Sequence, residues 1–146
     1  MGISANQARL MTLTARQHDL ELRAQSISAA KMVTSMNSQS SATAYSTALN
    51  NYSIAKQIEA IDSNERTAEQ SAQLAAILNG KTDSTAFLDA AKLAYDTKVA
   101  SLSAEEKLLD MELTQINTEH NAIKTEYDAI KSLIGDNVEK SFNVFG

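Results

Sequence analysis

Few side chains in this chain could do chemistry. Two histidines occur, His18 and His120, and there is no cysteine. The missing cysteines exclude disulfides, thiolate metal sites and a cysteine nucleophile. His120 follows Glu119 and lies within a few helical turns of Asp110 and Glu112. Di-iron sites in helix bundles draw on Glu-x-x-His motifs from paired helices. Here Asn117 stands where that glutamate is needed, so no metal ligand is predicted. His120 fits better as a polar layer in a helix seam that sets register or partner, with a capacity to respond to pH. The other carboxylates recur at seven-residue intervals and line helices instead of converging on a pocket. No Gly-rich phosphate loop, Gly-x-Ser-x-Gly elbow or His-Glu-x-x-His motif is present. These observations predict no enzyme, no catalytic residue, no cofactor and no metal.

The elements that carry these residues are helices. At a typical 5% the 146 residues would include roughly seven prolines, yet there are none, and only four glycines occur. Breakers are nearly absent from the interior, and the expected class is all-α. From Leu88 every seventh residue is apolar: Leu88, Tyr95, Leu102, Leu109, Ile116, Ile123 and Ile130. A second row carries Val99, Leu113, Tyr127 and Ile134, interrupted by Lys92, Glu106 and His120. Two such rows are the signature of a coiled-coil seam. Leu10, Leu13, Leu20 and Ile27 follow the same 3-4 spacing near the start, with Gln17 and Ala24 in the alternate row.

The spacing predicts a single helical unit over 1–146, a long antiparallel hairpin of two or three helices. Helices are expected at about 4–36, 42–79 and 84–134, with the alternative that the first two run on as one across a Ser/Thr/Asn/Gln-rich stretch that weakens helix near 37–41. Asn79-Gly80 reads as a helix C-cap, with Asp83 or Ser84 opening the next helix. Gly135 reads as the final C-cap, leaving a tail over 135–146 in which Phe142 and Phe145 would dock on this chain or a neighbour.

Charge adds a question of register. Net charge is −5, and residues 80–146 hold seven basic and twelve acidic side chains without an arginine. That balance argues against nucleic acid as a partner, and no apolar run approaches the length of a membrane span. Beside the seams, Arg9, Arg16 and Arg23 occupy one flanking row, and Glu105, Glu112, Glu119 and Glu126 another. Both rows sit at heptad position g, which suits antiparallel pairing of the first and last helices. Matching them requires residue numbers that sum to about 135. A hairpin closed at Gly80–Thr82 requires about 162. Either the chain folds back near residue 40, or the apolar row from Leu10 to Ile27 overhangs and pairs with a neighbouring subunit.

The absence of Cys, Pro and Trp, the abundance of Ser, Thr, Asn, Gln and Ala, and the long terminal helices resemble bacterial flagellar and type III axial proteins. The ending Ser141-Phe-Asn-Val-Phe145 departs from the helical C-terminus those proteins use. The segments Leu13–Leu20 and Glu126–Ile130 also resemble small helical proteins of gut bacteria, a likeness that carries no function. The resemblance implies a self-assembling structural subunit of an exported filament or surface assembly. Its partners would be copies of itself and an export machinery, and it would reach the exterior by a non-classical route, since no signal peptide is visible. The alternative is a cytoplasmic coiled-coil adaptor or export chaperone that sheathes a partner helix.

Overall fold

The computed structural model describes residues 2–145, the side chains of 141–145 excepted. Three helices follow in order, α1 (Ile3–Glu59), α2 (Ala68–Leu78) and α3 (Ser84–Phe145). No strand occurs among the described residues, so the fold is all-α, with α1 and α3 packed as an antiparallel hairpin.

The helix boundaries differ from the sequence expectation in two places, and the choice left open at 37–41 resolves to one continuous helix. Just beyond that stretch Thr43 Oγ1 bonds back to the Gln39 carbonyl at 3.0 Å without interrupting the helix, and with no proline or glycine nothing sterically forbids the next turn. The break falls instead at residues 60–67. Asp62 Oδ1 accepts from the Asn64 amide, and Thr67 with Gln70 forms a reciprocal capping box that starts α2. Gly135 does not end α3, which continues to Phe145. A glycine C-cap needs a left-handed backbone, and among the described residues Gly80 is the glycine with positive φ, at 87°. Inside a helix glycine costs only about 1 kcal/mol relative to alanine, too little to stop α3. The expected tail over 135–146 is therefore helix as far as it is described. The docking expected of Phe142 and Phe145 lies outside the described side chains.

The expected single unit divides into two. One joins Met1–Met32 with Lys107–Gly146, and the other is Val33–Glu106. In the first, Leu13, Leu20 and Ile27 of α1 are buried against Ile116 and Ile123 of α3, flanked by Ala24, Leu109, Leu113, Tyr127 and Ile130. In the second, Ala55, Ile58 and Leu74 are buried together, with Ile77 and Leu78 packed on them. Tyr45 and Tyr95 stack there with ring centroids 4.8 Å apart. The Asn79-Gly80 turn closes α2 as expected, Asn79 adopting φ 47°.

Candidate helix-pairing interface

The interface is built by the heptad rows. Because residues three and four apart share a helix face, Leu13, Leu20 and Ile27 form one continuous ridge on α1, and Leu109, Leu113, Ile116, Ile123, Tyr127 and Ile130 form another on α3. Leu13, Leu20, Ile27, Ile116 and Ile123 are buried; Leu10, Leu109, Leu113, His120, Tyr127, Ile130 and Ile134 are half-buried. Leu102 is also buried, but within the Val33–Glu106 unit.

Cross-helix polar contacts fix the register. Arg9 donates to Glu126 Oε1 through Nε at 2.9 Å and also through Nη2. Lys31 donates to Asp110, and Gln17 Nε2 lies 3.4 Å from His120 Nε2. The residue numbers of these pairs sum to 135, 141 and 137. In the second unit, Tyr45 with Tyr95 and Glu59 with Ser84 give 140 and 143. The alignment is thus that of the arginine and glutamate rows, not the value of 162 drawn from a turn at Gly80–Thr82. The reason is the break after Glu59. Residues 60–83, α2 included, together form the connection, so α1 and α3 meet from Glu59 and Ser84 outward. The chain does not fold back near residue 40. Nor does an overhang exist, because Leu13, Leu20 and Ile27 are covered by α3 of the same chain.

The charge rows close at one point only. Arg9 pairs with Glu126. Arg16, Arg23, Glu105, Glu112 and Glu119 make no ion pair among the described residues. His120 occupies the polar seam layer expected of it, with Glu21 Oε1 3.8 Å from its Nε2. Glu21 Oε2 lies 3.6 Å from His18 Nδ1, so both histidines of the chain approach one carboxylate. Sequence reasoning missed Glu21 and the Lys31–Asp110 pair. Lys31 was within reach of it, standing seven residues after Ala24 in the row of Leu10 and Gln17. Among the described residues no three His, Cys, Asp or Glu side chains are grouped to hold a metal ion.

The connection carries a second set of contacts. The Arg66 guanidinium donates to the Ile58, Ile61 and Glu59 carbonyls at 3.1, 3.0 and 3.3 Å, satisfying acceptors that the end of α1 leaves open. The Glu59 carboxylate accepts from the Ser84 amide at 2.7 Å and from Ser84 Oγ at 2.6 Å. It thereby caps the start of α3, where the helix dipole favours negative charge. Near the tyrosine stack a cleft of about 330 Å³ is lined by Ser41, Ala44, Ala91, Ala94 and Lys98, whose mostly small side chains leave the space open.

The faces turned away from the seam are not uniformly polar. On α1 of the first unit Met11, Leu22 and Met32 are 75%, 65% and 66% exposed, and on α3 Leu108 and Met111 are 60% and 68% exposed. No described helix is long and apolar enough to cross a membrane. Set against family models, curated proteins and solved structures, the chain matches none.

Proposed function

We propose that this protein is a structural helical subunit that self-assembles. The observation that carries this reading is the exposed apolar side chains on the outer side of α1, Met11, Leu22 and Met32. Their helix already buries Leu13, Leu20 and Ile27 on the inner side. A helix that is apolar on two sides is built to be covered on both, and exposed apolar side chains grouped on one face mark association surfaces. The setting in an exported filament or surface assembly is supported by composition alone, through the likeness to flagellar and type III axial proteins. Sedimentation velocity over a range of concentrations, with electron microscopy of the concentrated protein, tests the reading. Concentration-dependent large species are expected, reduced by Leu22→Glu. A monomer at every concentration rejects it.

The adaptor reading has its own observation in its favour. Met11, Met32 and Met111 are all more than 60% exposed, and flexible thioethers suit surfaces that accept varied partners. It predicts a stoichiometric heterologous helix bound to wild type and lost from Met11→Lys/Met32→Lys, with no homopolymer.

A further inference from the structure

Resting on the self-assembly reading, we infer that two copies of this chain pair edge to edge through the arginine row of α1 and the glutamate row of α3. The Arg9–Glu126 bond shows that both rows border the same edge of the helix pair in the first unit. In that register Arg16 lies level with Glu119 and Arg23 with Glu112. Yet none of the four makes an ion pair among the described residues. The edge therefore presents two opposite charges of each sign, side by side and unspent.

Symmetry turns this into self-complementarity. A two-fold axis parallel to the helices leaves every residue at its own height and places α1 of one copy opposite α3 of the other. The two are antiparallel, as they are within each copy. Arg16 and Arg23 then face Glu119 and Glu112 of the second copy in the register already set by Arg9 and Glu126. Because the interface is isologous, each contact occurs twice. The product is an antiparallel four-helix arrangement whose adjacent helices all run in opposite directions. Apolar side chains border the same edge. Leu133 continues the glutamate row seven residues after Glu126 and is 49% exposed, and Leu108 is 60% exposed. Covering them adds apolar burial to the charge match. The opposite edge lacks this pattern: Lys31–Asp110 and His120–Glu21 are engaged within the chain, and Lys124 and Lys131, which continue the Asp110 row, are of one sign.

The test exchanges charges. Arg16→Glu/Arg23→Glu turns the two unpaired basic positions of the edge acidic, and Glu112→Arg/Glu119→Arg turns the two facing acidic positions basic, with the Arg9–Glu126 pair kept in both. Each variant alone should dimerise about 100-fold or more weakly than wild type, because like charges then face each other. An equimolar mixture of the two should form a mixed dimer, seen by native mass spectrometry, since the acidic positions 16, 23, 112 and 119 of one copy now meet the basic ones of the other. Far-UV circular dichroism confirms that the helices are retained. Wild type supplies an independent measurement that needs no variant. Its dimerisation should weaken between about 0.05 M and 0.5 M salt, where screening shortens the reach of charge. If wild type associates, but salt and both exchanges leave the association unchanged, this edge is not the interface and the self-assembly reading stands. A wild type that stays monomeric throughout overturns both.

Discussion

Where the two chain ends pair, similar contacts recur every seventh residue; between residues 33 and 106 almost every contact is used once. In the first unit aliphatic side chains repeat along two helices, and exchanging one for another of similar size would keep the pattern. In the second, Glu59 caps Ser84, Arg66 closes the end of α1 and Tyr45 stacks on Tyr95. Each of those three depends on one specific chemistry. Damage to the first unit should therefore scale with volume removed, and damage to the second with which atom loses its partner.

The largest expected effect falls on the repeated seam. Leu13 is 1% exposed, and Leu13→Ala should cost about 2–5 kcal/mol by thermal or urea unfolding. Leu22→Ala, the same substitution one helix face away, should stay within about 0.5 kcal/mol in dilute protein. Equal losses would erase the distinction between inner and outer faces.

Glu59→Ala comes next. It leaves the buried Ser84 amide and hydroxyl without their acceptor, at about 1–3 kcal/mol. Amide exchange should rise around residues 59–84 while the amides of 13–27 and 116–123 keep their protection. A uniform rise across both would mean that the two units open as one.

Arg66→Ala should lose about 1 kcal/mol, less than Glu59→Ala because water can reach the freed carbonyls of a half-buried turn. Its amide-exchange signature should stop at the end of α1. Smallest of all is Arg9→Gln. The Arg9–Glu126 pair is about half exposed on both sides, and exposed pairs contribute about 0.2–1 kcal/mol. The difference from wild type should vanish at high salt.

What was legible in the sequence follows the same division. The seam residues of the first unit could be read in advance because heptad spacing is a property of the chain itself. The arginine and glutamate rows likewise carried the correct register, ahead of any knowledge of where the chain turns. Asn79-Gly80 caps α2 as its sequence says, but it is only one end of the connection; the other end, Asp62-Ser-Asn64 with the Thr67–Gln70 box, is hidden inside continuous apolar spacing, and Gly135 carries the glycine signal without ending its helix. Ile54 and Ile58 carry the apolar spacing up to the break, Ile61 continues it within, and Ala68, Ala72 and Ala75 resume it beyond. Periodicity alone could not show that the helix stops between them. The Glu59–Ser84 and Arg66 contacts had no periodic signal at all. A buried capping carboxylate 25 residues from its partner follows from the fold and has no local pattern.

That same Glu59–Ser84 contact also bears on the order in which the molecule folds. It closes a loop of 25 residues, whereas Gln17 with His120 and Arg9 with Glu126 span 103 and 117. Closing the longest directly costs about 1.4 kcal/mol more in chain entropy than closing the shortest. The search is shortened if the connection forms first and each new seam layer is added next to the last. Substitutions at Glu59 should then slow folding, and substitutions at Leu13 should mainly hasten unfolding. On this view Glu59 is where the antiparallel register begins, and the apolar rows that identify the fold in the sequence are the last to assemble.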